Sequence, residues 1–396
     1  MQNKSFVMLA EQIMERFYAD LVTIVNIDSG TYTKSGVDQV AAYLQQRFHE
    51  FGFTTSFDPQ EEYGDHLIAT HAGSNPQGPR LLLIGHMDTV FPAGEALRRP
   101  FSYGEREGMR IAQGPGVLDM KSGVLMGIYA LHLLINAHEA NYQSVTFVCN
   151  SDEEIGSISS KPLITRLARD VDAVLVLEPG RTLNRIVSAR KGIAVYRVSV
   201  QGVAAHAGVD PQRGRNAILE LAHQVVALHA LNGTIPGVTL NVGIIQGGER
   251  TNIVPDHAYC DVDVRMQDRA GLHAIEEVLR RVTSQTILDG TVITLSGGVR
   301  SMPLERSRSN VRLLQLVKEA GMSLGIELED ISSGGASDAN TTGGLDVPTV
   351  DGLGAGGGLA HNPNEYIELD YLPMRIALIC EVVRRICDYY QSGNRL

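Results

Sequence analysis

Residues 81–92 read LLLIGHMDTVFP. Four apolar residues run into Gly85 and then into His86, Met87 and Asp88. A short apolar run ending in glycine fits a strand buried in a parallel sheet. In open α/β sheets, ligands sit beyond the carboxyl ends of such strands. His86 and Asp88 are two residues apart, so in an extended segment they point the same way. A histidine beside a carboxylate at a strand end suits a metal ligand with an orienting partner. A strand-end histidine bonded to its own turn fits this stretch alone equally well.

Two more apolar runs end in carboxylates. Residues 144–150 lead into Ser151-Asp152-Glu153-Glu154-Ile155-Gly156-Ser157, and residues 172–177 lead into Glu178-Pro179-Gly180. Three consecutive carboxylates past a buried strand repel one another unless a cation compensates them. A solvated acidic loop has the same composition. Asp119 lies in the Gly-rich stretch GPGVLDMKSG, ahead of an apolar helix predicted over 124–137. Glycines on both sides of one Asp suggest close backbone approach, and capping of that helix is the alternative. His361 follows the Gly-rich run 352–358, on a loop after a strand predicted over 347–351. His86, His361, Asp119, Glu154 and Glu178 can therefore hold two Zn²⁺ ions if one carboxylate bridges. A nitrogen and oxygen donor set without thiolate favours zinc, with Co²⁺ or Mn²⁺ as alternative occupants.

Working outward, helices are predicted over 6–25, 37–51 and 372–390, and strands over 53–57 and 66–71. The polar run 73–78 reads as a hairpin-type connection. Between the two halves the texture changes. Strands over 191–201, 238–246, 257–266 and 291–296 alternate with helices over 214–231 and 269–284, giving a β-α-β-β-α-β order. The fold class expected is α/β: a mostly parallel central sheet flanked by helices, with an inserted α+β domain. The boundaries place a discontinuous first domain over 1–188 and 305–396, and the inserted domain over 189–304. That inserted domain carries His206 in AHAG, Asn252 in TNIVP and Arg265 in DVDVR. Gly and Pro beside the first two suggest a fixed backbone aimed at a partner, where surface decoration is the ordinary role of such residues.

Composition bounds the function. With 396 residues, the chain is too long for one ordinary core. Apolar content of 43% and charged content of 20% are those of a soluble globular protein. A net charge of −11 with no basic run argues against nucleic-acid binding. Cys149, Cys260, Cys380 and Cys387 show no CxxC spacing and read as reduced core residues. No apolar stretch approaches the roughly 20 residues that span a bilayer. The opening residues lack a charged segment followed by an apolar one, so no signal peptide is expected. A cytoplasmic protein is therefore expected.

The ordered set GHMDTV, GPGVLDMKSG, SDEEIGS, LEPG, AHAG, TNIVP, DVDVR, GGASDA and AHN covers nearly the whole chain. It resembles the M20 metallopeptidase family, in particular the carboxypeptidase G2-like glutamate carboxypeptidases. The resemblance implies that His86, Asp119 and Glu178 bind one zinc. It implies that Asp119, Glu154 and His361 bind the other, with Asp119 bridging. Glu153 matches the general base, and Asp88 the carboxylate that orients His86. A cis peptide after Asp119 is implied as well. His206 matches an oxyanion-stabilising histidine that reaches the site from a partner subunit's lid, so a homodimer is expected. Asn252, Arg265 and Arg300 fall in segments that contact substrate, though SGGVRSMP matches its motif loosely. The expected reaction is hydrolysis of an amide next to a free carboxylate, in a small peptide or an N-acyl amino acid. The adjacent Glu153 and Glu154 would divide the work because neighbours in an extended segment point opposite ways. Deacylases of acetylated amino acids and succinyl-diaminopimelate desuccinylases share these motifs. A non-catalytic descendant that binds an amino acid is the reading from another class, and it would require a lost ligand or base.

Overall fold

The computed structural model describes residues 5–396. By its contacts the chain divides into two compact units. The first holds the residues up to Ser188, Arg306–Ser332 and Ser337–Leu396; the second holds Ala189–Glu305 with Ser333–Ala336.

The first unit is built on a six-stranded mixed sheet. Its strands are β1 (Thr54–Asp58), β2 (His66–Ala72), β3 (Arg80–His86), β4 (Ser144–Asn150) and β5 (Ala173–Val176), with Thr349–Val350 at the edge. The order is β1-β2-β4-β3-β5 and then Thr349–Val350. β4, β3, β5 and the edge strand run parallel, while β2 is antiparallel to both β1 and β4. In β3, Leu81 through Ile84 are fully buried and Leu83 lies in register between Phe147 and Leu175. Burying such a leucine is worth about 2 kcal/mol, which is why an unbroken apolar run forms the middle of the sheet.

β2 and β3 are not a hairpin, contrary to the reading of residues 73–78. β4 lies between them. The connection instead follows the loop that enters β4: Gly73 N–H donates to the Gln143 carbonyl at 3.0 Å and Ser74 N–H to Ala140 at 2.8 Å. A turn-rich composition fixes a reversal but not which strand the reversed chain pairs with.

The helix Ser122–Asn136 is apolar on nearly every side because it is enclosed by the sheet and by the helices Phe6–Val25 and Leu372–Gln391. Its Gly123 is where helix and sheet touch: a Cβ there would stand 2.1 Å from the Leu177 carbonyl oxygen. A second, four-stranded sheet, not foreseen in the sequence, joins the hairpin Ser102–Arg106/Met109–Gln113 to Tyr366–Glu368 and Gly357–Gly358. All four cysteines are free and buried.

The second unit has strands β6 (Gly192–Gln201), β7 (Val238–Gly247), β8 (His257–Met266) and β9 (Val292–Ser301), in the antiparallel order β7-β8-β6-β9. The helices Ala217–His229 and Arg269–Thr283 pack on the sheet. Alternate residues of β6 and β8 are buried, as the alternating pattern requires.

Candidate metal centre

His86 is the last residue of β3, at the carboxyl end of the parallel strands, and is buried. Glu178 lies two residues beyond β5, and the Glu153–Ile155 turn lies just past β4. Parallel pairing in register brings these three strand ends together. Asp119 reaches the same place in a distorted turn over Val117–Lys121, and its peptide bond to Met120 is cis. It does not cap the helix that follows. Its carboxylate instead lies between two imidazoles: Oδ1 is 3.0 Å from His86 Nε2 and Oδ2 is 3.2 Å from His361 Nε2. His361 Nε2 is also 3.1 Å from Glu154 Oε2, and His86 Nε2 is 3.8 Å from Glu178 Oε1. His361 comes from the loop that joins Gly357–Gly358 to Tyr366–Glu368, so the unforeseen sheet is what carries it in.

Asp88 lies beside His86 and also serves the glutamates. His86 Nδ1 is 3.0 Å from the Asp88 backbone carbonyl and 3.4 Å from its carboxylate. That carboxylate accepts the N–H of Glu153 and of Glu154, both at 3.2 Å, and the Thr31 hydroxyl at 2.7 Å. The segment is accordingly a single 3₁₀ turn, not the extended run assumed from the sequence. Successive residues of such a turn still diverge. Glu154 faces His361, while Glu153 lies with His86 and Glu178, one ligand atom of each within 4.8 Å of the others.

Two supporting carboxylates went unassigned in the sequence. Glu365 accepts the N–H groups of Leu118, Asp119 and Gly116 at 2.7, 2.9 and 3.2 Å, and so shapes the loop that presents Asp119. Asp338, in GGASDA, accepts the Asn150 side-chain amide at 2.9 Å and the Ser157 hydroxyl at 2.5 Å, bracing both ends of the glutamate loop. Glu365 has no local signal; Asp338 lies in the quoted GGASDA, but its role went unread because its partners are far away in sequence. Arg375 is also fully buried; its guanidinium donates to the carbonyls of Gly354, Leu183, Arg185 and Gly352. A Cβ on Gly180 would lie 2.2 Å from its Nη2, so the turn after Glu178 has no room for a side chain.

The electrostatics suit cations. Burial, reinforced by the neighbouring Glu178 charge, pushes the Glu153 carboxyl well up, and burial also raises Glu154. Hydrogen bonds to Asp119 and Glu154 push His361 up to about 10. Burial opposes charge on Asp119, yet the two imidazoles outweigh it and hold its carboxyl low. Glu154 Oε1 is buried without a hydrogen-bond partner. Crowded carboxylates, an orphaned acceptor and two imidazoles on one central carboxylate fit divalent cations held by His86, Asp119, Glu178, Glu154 and His361.

The other four residues singled out in the sequence belong to the second unit. His206 lies on a two-strand ribbon, Ala205–His206 paired with Ile253–Val254, and the Asn252 carbonyl accepts the Ala207 N–H at 3.0 Å. The ribbon thus brings His206 and Asn252 together. Gly208 N–H donates to His206 Nδ1 at 3.1 Å. Arg265 forks onto Asp263 of its own strand at 2.7 and 3.1 Å. Arg300 sits at an irregularity of β9, where the register shifts between Val299 and Ser301. Ile193 pairs with both Arg265 and Ser301, so the two arginines lie close to one row of the sheet.

The family model described as Peptidase family M20/M25/M40 matches residues 82–385. Carboxypeptidase G2 of Pseudomonas sp. (strain RS-16) is 30% identical over 371 residues, covering 92% of this chain and 87% of that protein. Acetylornithine deacetylase of Myxococcus xanthus is 26% identical over 373 residues, covering 87% of this chain and 91% of the relative. Among solved structures, aminopeptidase PepT of Bacillus cereus ATCC 10987 superposes with a TM-score of 0.78 at 23% identity, covering 94% of this chain and 98% of its own.

Proposed function

Because this chain belongs to peptidase family M20/M25/M40 and is a metal-dependent hydrolase of it, we propose that it holds two divalent cations and cleaves an amide next to a free carboxylate. The product is a C-terminal amino acid such as glutamate. One observation carries the reading: the Asp119 carboxylate lies between His86 and His361, with Glu153 beside the first of these groups.

His86, Asp119 and Glu178 would hold one cation; Asp119, Glu154 and His361 would hold the other, zinc being favoured by the donor set. When bound, such cations polarise a carbonyl and make water acidic near neutral pH. Glu153 accepts a proton from the attacking water and returns it to the leaving nitrogen. Burial raises the basicity of Glu153, in the direction a proton acceptor needs. Asp88 fixes the Glu153 and Glu154 backbone, so the two carboxylates keep separate directions. Glu365 holds the Asp119 loop.

His206 is assigned to the oxyanion and Asn252, Arg265 and Arg300 to the substrate carboxylate, on their motifs. The protein is proposed to be a homodimer through the second unit, with His206 serving the partner's site. Support comes from apolar residues left uncovered there: Val226, Ile245 and Ile244, at 71%, 56% and 49% exposure. β7, which carries the two isoleucines, is an edge strand.

The test is metal removal followed by a substrate panel. A chelator should abolish hydrolysis and Zn²⁺ or Co²⁺ should restore it, with two ions per chain by elemental analysis. Full activity in metal-free protein overturns the reading. C-terminal glutamyl peptides set against N-acetyl and N-succinyl amino acids separate peptidase from deacylase.

A further inference from the structure

Within the first unit, a cavity of about 440 Å³ opens beside Glu154. Its walls include Tyr32, Val90, Phe91, Pro92 and Ile155. Tyr32 and Val90 are 73% and 42% exposed, which is unusual for apolar side chains grouped at one mouth. The Tyr32 ring lies 6.1 Å from that of Tyr63. Among the described residues, no Lys, Arg or His lines the cavity, and Glu154 is the only carboxylate that does. Arg99 stacks on the Phe91 ring at 4.7 Å but is not among the lining residues: its Nε and Nη1 are held by Glu95 and the Pro363 carbonyl, and its Nη2 is buried.

The residues assigned to the carboxylate of the leaving amino acid, Asn252, Arg265 and Arg300, do not line this cavity, so we infer that it receives the group on the acyl side of the scissile amide, and that the group is bulky, uncharged and apolar. The inference rests on the hydrolase reading above and narrows it. A volume of this size is far larger than an acetyl group fills, so an acetyl substrate would leave most of the apolar wall wet. A succinyl group would bring its distal carboxylate against walls with no Lys, Arg or His to pair with it, and burying a charge without a partner is unfavourable. An apolar ring or chain meets neither penalty, and covers Tyr32, Val90 and Ile155. Tyr32 and Val90 are then specificity-determining residues, reached by the substrate without taking part in bond breaking.

The experiment compares N-phenylacetyl-, N-acetyl- and N-succinyl-glutamate, which share a leaving amino acid, on the zinc-loaded protein. kcat/KM should favour phenylacetyl by at least about 10-fold over each of the others, the usual worth of a filled apolar pocket. Tyr32→Ala should remove most of that advantage, lowering the phenylacetyl-to-acetyl ratio of kcat/KM toward one. Val90→Lys should raise the succinyl compound relative to phenylacetyl. A succinyl preference in the unchanged protein, or equal losses on all three substrates in both variants, overturns the inference. Binding of the same three compounds to Glu153→Gln protein is measured by calorimetry in parallel. If none is hydrolysed, the proposed reaction fails, yet the binding order still decides the cavity: tighter phenylacetyl binding that depends on Tyr32 upholds it, and equal binding overturns it.

Discussion

The Asp88 carboxylate holds the backbone of Glu153, accepting its N–H at 3.2 Å through Oδ1 while Oδ2 accepts the N–H of Glu154. Asp88 is fully buried, so nothing else can satisfy those donors. In Asp88→Asn one oxygen becomes an NH₂ group facing an N–H donor. The variant should lose about 2 kcal/mol of stability, read by urea unfolding, because one buried donor is left unmet. Its kcat should fall further than its stability explains, since the glutamate turn loosens. Wild-type kcat in a fully folded variant would show that the turn holds without Asp88.

Glu153→Gln removes a proton acceptor while leaving Glu154 in place. kcat should fall by at least about 100-fold with zinc content unchanged. Glu154→Gln should instead lose metal. Because Glu153 groups with His86 and Glu178 in space, elemental analysis of both variants is decisive: metal loss in Glu153→Gln with normal turnover per bound metal reverses the two roles.

Glu365→Gln tests whether the shape of the Asp119 loop sets metal affinity. Three backbone donors converge on this one carboxylate. Supporting residues of this kind are worth about 10- to 100-fold in metal affinity. A competition titration with a chromophoric chelator should show zinc binding weakened within that range. Unchanged affinity would mean that the loop keeps its form unaided.

Asp330 provides a pH prediction away from the metal site. Burial opposes its charge, but Lys318 at 2.5 Å, the Ser188 hydroxyl at 2.8 Å and Arg306 at 2.9 Å outweigh burial and hold the carboxyl down to about 2. A carboxyl depressed on folding contributes stability that is present above its unfolded pKa, near 3.9, and is lost as pH falls through the folded value. Asp330→Asn should therefore cost about 1 kcal/mol at pH 7, after allowance for solvent screening. The cost should shrink below pH 4 and vanish near pH 2. A difference constant from pH 7 to pH 2 would rule out the charge as its source.

The proposed sharing of His206 across subunits is tested by mixing. Glu153→Gln and His206→Ala should each be nearly inactive alone. Unfolded and refolded together in equal amounts, about half the dimers are hybrids. Each hybrid then has one intact site of two, so recovery should approach roughly a quarter of wild-type activity. No recovery despite confirmed hybrids would show that His206 serves its own chain.

What the sequence determined was local and chemical. Apolar runs ending in His86, Glu154 and Glu178 marked strands of a parallel sheet with ligand-type side chains at their ends, because backbone period and burial are read within a few residues. The free, buried cysteines and the alternating strands of the second unit were legible for the same reason. Tertiary structure alone decided the rest. It put β4 between β2 and β3, where turn composition had pointed to a hairpin. It converted the Glu153–Glu154 segment from an extended run into a 3₁₀ turn, because Asp88, 65 residues away, accepts its amides. It assigned Glu365 and Arg375 to hold loops that sequence distance separates from them by 246 and 192 residues. Hydrogen-bond demand at buried backbone is met by whatever side chain the fold delivers, and no local pattern records that delivery.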